Sequence, residues 1–373
     1  MFSADDYRHM SHALRLAERG LYTTDPNPRV GCVLVQGSER VGEGWHERAG
    51  EPHAEVHALR QAGASARGAT AYVTLEPCAH HGRTPPCAEA LVAAGVVRAV
   101  VAMEDPNPLV AGAGLRRLTE GGVAVETGLL DTQARVLNAG FVMRMRRGRP
   151  FVRCKLAMSL DGRTAMASGE SQWITGPGAR RDVQRLRARS SAILTGIGTV
   201  LSDDPSLTVR DEDIGEPAPP GGWRQPLRVV LDPHLSTPPA ARMLTAPGRT
   251  LVATCCQDDE AAEALIDTPA EVIRFPGSAD SLDLETLTRY LGEEEEVNEL
   301  LVETGATLSG AMLRAGLVDE LVVYMAPRLL GSDARALFRL PGLERMEDAV
   351  ELAIVDIRPV GRDWRITAHP AAR

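Results

Sequence analysis

Apolar positions along this chain fall into short blocks, and the period within the blocks alternates between helical and extended. Met10, Ala13, Leu14 and Ala17 recur at helical spacing. Ser3 and Asp6 ahead of them suit a helix cap, and Gly20 stops the run. Asp25-Pro26-Asn27-Pro28 reads as a rigid turn and residues 30–35 as a short apolar strand. The pattern then predicts a helix over 54–62, a strand over 71–75, a helix over 88–94 and a strand over 96–103.

A second alternating series begins with a strand over 151–158, a turn at Ser159-Leu160-Asp161-Gly162 and an arginine-rich helix over 179–190. Residues 191–194 form a strand entering the glycine turn Thr195-Gly196-Ile197-Gly198-Thr199, and further strands are expected over 227–231, 251–254, 272–275 and 299–302. Glu303-Thr304-Gly305 then leads into a helix through Leu313. Residues 321–325, 350–357 and 364–367 read as closing strands, the last two as a hairpin around Gly361. Strand and helix alternation throughout puts the chain in the α/β class. Arg144-Met145-Arg146-Arg147-Gly148-Arg149-Pro150, charged and carrying Gly and Pro, separates the two series and predicts domains 1–147 and 148–373.

Candidate chemistry gathers between residues 53 and 87. His53-Ala54-Glu55 is followed by Pro77-Cys78 and, after eight intervening residues, by Cys87. One imidazole and two thiolates make three zinc ligands, which leaves the fourth tetrahedral position to water, as in catalytic sites. Bound zinc lowers the pKa of that water to about 7. Glu55 would move the protons, in the pattern of zinc deaminases of nucleobases. Two other readings compete. A metalloprotease-like pair His53/His57 lacks a Glu directly after the first His. A structural zinc knuckle needs a fourth ligand, which His57, His80 or His81 could supply.

With 373 residues, 44% apolar and 24% charged, the chain has the size and composition for two globular domains. A net charge of −9 and the lack of a basic tail disfavour a nucleic-acid partner. The first residues do not read as a signal peptide, and Arg98 interrupts the longest apolar run, over 91–103, so no membrane span and a cytoplasmic location are expected. Cys32, Cys154, Cys255 and Cys256 read as reduced core or strand residues. In the second half a G-x-G-x-x-G fingerprint is absent, whereas the helix start after Glu303 could bind an anion such as a cofactor pyrophosphate. The arginines at 180, 181, 185, 187 and 189 read mostly as a solvated face with room for a phosphate contact, and the acidic run at 293–296 as solvated.

Together, His53-Ala54-Glu55, the loop from Pro77 to Cys87, Lys155-Leu156-Ala157-Met158-Ser159-Leu160-Asp161-Gly162-Arg163-Thr164-Ala165, the stretch 202–210 and the stretch 302–310 resemble the bifunctional riboflavin-biosynthesis deaminase/reductase family. The resemblance implies an N-terminal cytidine-deaminase-like α/β/α domain and a C-terminal dihydrofolate-reductase-like α/β domain. It implies deamination of a diaminohydroxyphosphoribosylaminopyrimidine, then NADPH reduction of the ribosyl group of the aminouracil to ribityl. His53, Cys78 and Cys87 then match zinc ligands and Glu55 the proton donor. Asn27, His46, His80, Arg83, Asp105 and Asn107 match the deaminase substrate neighbourhood. Ala157, Trp173, Thr199, Asp203 and the turn Gly305, Ala306, Thr307, Leu308, Ser309, Gly310 and Ala311 match cofactor positions. Ser171, Arg187, Leu207, Arg210 and Glu303 match reductase substrate positions, with Lys155 a further polar candidate. Pro233 departs from relatives that carry a hydroxyl residue there. The implied partner is a small phosphorylated pyrimidine, and a homo-oligomer is the expected assembly. Two other classes compete: a nucleic-acid base deaminase with a non-redox binding module, and a zinc-stabilised scaffold without turnover.

Overall fold

The protein is described here by a computed structural model covering residues 1–79, 86–278 and 280–371. By internal contacts it divides into two units, Met1–Gly148 and Arg149–Arg373.

The first unit runs α1 (Ala4–Glu18), β1 (Gly31–Gln36), β2 (Glu39–Trp45), α2 (Ala54–Ala62), β3 (Thr70–Val73), α3 (Cys87–Ala93), β4 (Arg98–Val101), α4 (Ala113–Glu120), β5 (Ala124–Thr127), α5 (Asp131–Leu137) and α6 (Ala139–Arg147). Ser3 and Asp6 form the expected capping box, and Met10, Ala13, Leu14 and Ala17 are buried. The sheet order is β2-β1-β3-β4-β5. β1 is antiparallel to both β2 and β3, while β3, β4 and β5 run parallel. Strand β2 was not expected, because Glu39-Arg40-Val41-Gly42-Glu43-Gly44-Trp45 has little apolar content. Its glycines have a packing reason. A Cβ at Gly44 would lie 2.5 Å from His57 Cβ and 2.6 Å from the Ala54 carbonyl oxygen, so α2 rests directly on this strand.

The second unit contains β6 (Phe151–Ser159), β7 (Arg163–Ala165), α7 (Pro177–Arg189), β8 (Ala192–Gly196), α8 (Ile197–Asp203), α9 (Asp211–Ile214), β9 (Leu227–Leu231), α10 (Arg242–Thr245), β10 (Thr250–Thr254), α11 (Asp259–Glu263) and β11 (Ala270–Arg274). It continues with β12 (Gly277–Ser278), β13 (Ser281–Leu282), α12 (Leu284–Glu293), β14 (Glu299–Glu303), α13 (Ala306–Arg314), β15 (Glu320–Ala326), β16 (Arg335–Ala336), β17 (Leu352–Val360) and β18 (Asp363–Pro370). Nine strands form one sheet in the order β11-β10-β9-β8-β14-β6-β15-β18-β17. The run from β11 to β15 is parallel, and β18 and β17 add antiparallel strands. Both faces of the parallel part are covered. Ala192, Leu194, Leu300 and Val302 enter one core, while Ile193 and Leu301 enter the core on the opposite face. Such strands read as continuous apolar runs, which is why 191–194 and 299–302 were legible. The closing hairpin extends to Leu352–Val360 and Asp363–Pro370, turning at Gly361 with φ +65°. No helix among the described residues is long and apolar enough to cross a membrane.

Candidate functional site

In the first unit the chemistry-bearing residues lie where strands end and helices begin. His53 is the N-cap residue of α2, Cys87 opens α3, and Cys78 follows β3. Their ligand atoms lie within 4.8 Å of one another. His53 Nδ1 is 3.6 Å from Cys78 Sγ and 3.4 Å from Cys87 Sγ, and the Cys87 backbone N–H donates to Cys78 Sγ at 3.4 Å. One imidazole nitrogen and two thiol sulfurs converging in this way suit the tetrahedral geometry of zinc. His57, weighed as a fourth ligand, is not part of this cluster among the described residues. His80 and His81, the other two candidates, lie outside the described residues, as does Arg83. The Cys87 thiol beside it lowers the pKa of Cys78, and the same pairing raises that of Cys87.

Glu55, in the first turn of α2, is 3% exposed, and its Oε2 is buried without a hydrogen-bond partner among the described residues. Burial lifts its carboxyl to about 7. An unpaired buried carboxylate oxygen is costly, so this atom is placed for a ligand rather than for the fold. His46 is buried, and burial lowers its pKa. Its Nδ1 lies 3.2 Å from the Pro52 carbonyl oxygen and its Nε2 3.1 Å from Asn27 Nδ2. Nδ1–H must therefore be the donor and Nε2 the acceptor, so a neutral imidazole holds the Asn27 amide in one orientation.

Glu76 was not singled out in the sequence, where it read as a strand end. Its Oε2 accepts from the N–H groups of Asp105 and Gly112, both at 3.0 Å, and its Oε1 from those of Gly114 at 2.7 Å and Leu115 at 3.3 Å. It thereby ties the segment leading to Cys78 to the loop that carries Asp105 and Asn107. Asp105 Oδ1 in turn accepts from the Asn107 N–H at 2.8 Å. The signal was available: an acidic residue directly before Pro77-Cys78 at the end of a buried strand needs donors.

In the second unit Glu303 and the turn after it stand at the carboxyl end of the central parallel strand β14, where α/β sheets carry their sites. Glu303, ending β14, is 8% exposed and pairs in register with Lys155 of β6. Arg187 of α7 grips Glu303 with two bonds, Nε to Oε1 at 2.6 Å and Nη2 to Oε2 at 3.1 Å, while Lys155 Nζ lies 3.5 Å from Oε2. Burial would raise the Glu303 carboxyl, but the Arg187 and Lys155 charges outweigh it and hold it at about 2. Arg187 Nη1 donates to the Thr208 carbonyl oxygen at 3.1 Å. All three of these guanidinium nitrogens are therefore engaged within the protein. Glu303 takes the Nε/Nη2 side of the guanidinium and Thr208 one Nη1 donor, which leaves two of its five N–H donors for a phosphate.

Three more arginines of this helix are also paired rather than simply solvated, while Arg181 is exposed as expected. Arg189 bonds Glu299 at 2.9 Å, Arg185 bonds Glu216 at 2.8 Å, and the Arg180 guanidinium sits 4.7 Å from the centre of the exposed Trp173 ring. Glu295 likewise is not part of a solvated run, since its side chain is 11% exposed and bonds Arg249 at 2.8 Å. Ala157 and Ser171 are half-buried, Thr199 lies in α8 and Asp203 ends it, exposed. Leu207 is buried with φ +49°, and Arg210 is exposed with its Nε 2.6 Å from Asp213. Gly305 precedes α13 as its N-cap residue without a side-chain cap, and open space surrounds the position a Cβ would take there. The first-turn N–H groups of α13 lack intrahelical partners, and on β8, the strand beside β14, Thr195 Oγ1 is buried and unpaired among the described residues; these residues fit a phosphate-bearing cofactor.

Comparison with known proteins finds relatives for both units. Residues 3–103 match the cytidine and deoxycytidylate deaminase zinc-binding region, and residues 150–366 match the RibD C-terminal domain. The riboflavin biosynthesis protein RibD of Escherichia coli is 55% identical over 96% of this chain and 97% of its own length. That of Haemophilus influenzae is 52% identical over 99% of this chain and 98% of its own. Among solved structures, Acinetobacter baumannii RibD superposes with a TM-score of 0.90 at 48% identity, covering 99% of each chain. A Thermotoga maritima diaminohydroxyphosphoribosylaminopyrimidine deaminase/5-amino-6-(5-phosphoribosylamino)uracil reductase gives a TM-score of 0.85 at 30% identity, covering 98% of this chain and 99% of that one. The chain belongs to the RibD family of bifunctional riboflavin-biosynthesis enzymes, a zinc-dependent deaminase domain followed by an NADPH-dependent reductase domain.

Proposed function

We propose that the first unit deaminates a diaminohydroxyphosphoribosylaminopyrimidine and the second reduces the phosphoribosyl group of the resulting aminouracil to phosphoribityl. The observation that carries the first step is the convergence of His53 Nδ1, Cys78 Sγ and Cys87 Sγ, with Glu55 two residues from His53, buried and with one oxygen unpaired among the described residues. His53, Cys78 and Cys87 would hold zinc, which when bound supplies Lewis acidity that makes water nucleophilic at neutral pH. Glu55 Oε2 would carry the two protons of the attacking water in turn, the first to the ring nitrogen and the second, from the hydroxyl formed on the ring carbon, to the amino group as the C–N bond breaks and ammonia leaves. Asn27, held by His46, and Asp105 and Asn107, held through Glu76, orient the pyrimidine.

For the second step, Gly305 to Ala311 with Ala157, Trp173, Thr199 and Asp203 would hold NADPH, which supplies the hydride. Glu303, charged and fixed between Arg187 and Lys155, faces substrate hydroxyls, and Arg210, whose guanidinium is exposed, meets the phosphate. Ser171 and Leu207 complete the substrate side. Positioning dominates here, since hydride transfer needs the two carbons about 3.5 Å apart and no protein nucleophile. A homo-oligomer is the proposed assembly, checked by sedimentation of the purified chain.

One coupled assay tests the scheme. The wild-type protein should release ammonia and oxidise NADPH when given the phosphoribosylaminopyrimidine. Ammonia release without any NADPH oxidation would leave only the deaminase reading standing.

A further inference from the structure

We propose that Gln225 is a positioning residue of the reductase, holding the backbone of segment 207–210 so that Leu207 and Arg210 are presented to the phosphorylated substrate. The inference rests on the assignment of Arg210 and Leu207 to the substrate side.

The geometry is that of a clasp. The Val209 N–H donates to Gln225 Oε1 at 2.9 Å, and Gln225 Nε2 donates to the Val209 carbonyl oxygen at 3.0 Å. One side-chain amide thus satisfies both backbone groups of one residue, as a neighbouring strand would. Two further side chains hold the flanking positions. Arg187 Nη1 bonds the Thr208 carbonyl oxygen at 3.1 Å, and the Arg210 N–H donates to Gln184 Oε1 at 3.1 Å.

The segment needs this support because it is irregular. It lies between α8 and α9, and Asp204 and Leu207 have φ of +39° and +49°. Left-handed backbone at residues other than glycine is disfavoured and persists only when the surroundings hold it. Apart from the tie to Thr208, the Arg187 guanidinium is engaged with Glu303, so it joins the segment to the carboxylate across the site. Among the described residues Gln225 makes no such second contact in the site, which makes it the cleanest probe of the segment alone.

Removing the clasp would let Leu207 and Arg210 sample other orientations, at a cost to substrate binding and with no direct effect on the hydride donor. Gln225→Ala is therefore expected to raise KM for the phosphoribosylaminouracil about five-fold or more, with kcat within about two-fold. NADPH affinity should be unchanged. Because the effect runs through Arg210, Gln225→Ala should add little to the KM of an Arg210→Ala variant, whereas a general loosening of the fold would add in full. If Arg210→Ala raises KM and Gln225→Ala leaves it at the wild-type value, the clasp is overturned and the substrate assignment stands. If Arg210→Ala itself leaves KM unchanged, the assignment fails and the clasp with it. Should Gln225→Ala not fold, Gln225→Glu keeps the shape and the acceptor for Val209 but loses the donor. A wild-type KM in that variant would likewise overturn the proposal.

Discussion

Each candidate site turns on a few buried side chains whose charge is set by its neighbours. Cys78 and Cys87 converge with His53, and no sulfur can be spared where the described residues offer three donors. Cys78→Ser should therefore lose zinc, measured by metal analysis of the purified protein, while a fully retained ion would count against the ligand set. Glu303 is a different case, because its partners are permanent cations. Its folded carboxyl sits at about 2 against an ordinary 4.5, so ionisation stabilises the fold fully above the ordinary value. That contribution disappears as pH falls from about 4.5 to about 2, and its size is on the order of 3 kcal/mol. Denaturant titrations of wild type and Glu303→Gln should differ most at neutral pH and converge in acid. A gap that widens in acid would refute the assignment.

Elements bring these residues together through close backbone contacts that leave no room for a side chain. Helix α2 carries His53 and Glu55 and lies on β2 at Gly44, where a Cβ would be 2.6 Å from the Ala54 carbonyl oxygen. Gly44→Ala must push the helix away. A loss of about 1–3 kcal/mol in stability with weakened zinc retention is expected, read from thermal melting and metal content. Glu76 organises the loop between β4 and α4 and the first turn of α4 through four backbone N–H groups. Gly114 approaches so closely that a Cβ there would be 1.9 Å from the Pro77 carbonyl oxygen. Glu76→Gln turns an amide N–H₂ toward N–H donors, and a stability loss of about 1–3 kcal/mol should accompany impaired deamination. Full retention of both would show that the loop is held by other means.

At the scale of the whole molecule, two units with separate cores carry two chemistries. Glu55→Gln should keep zinc and abolish ammonia release, yet still oxidise NADPH on supplied deaminated substrate. Persistent ammonia release would remove Glu55 from the reaction. Much of this plan was legible along the chain, because a ligand set depends on residue types and spacing, and buried parallel strands announce themselves as apolar runs. The motifs around His53, Cys78, Cys87 and Glu303 belong to that class, as does the capped first helix. Strand β2 and helices α4 to α6 were not read, since glycine at a close contact or a short, half-polar helix carries no distinctive period. Nor could spacing say where a charged side chain points. Arg187 and Glu303 are 116 positions apart and meet at 2.6 Å only because α7 covers the sheet whose strand β14 ends at that carboxylate. Local sequence determined which groups could do chemistry, because reactivity and periodicity are properties of neighbours along the chain. Tertiary structure alone decided which of them are free to act and which are committed to one another, because desolvation and charge pairing depend on distance in space.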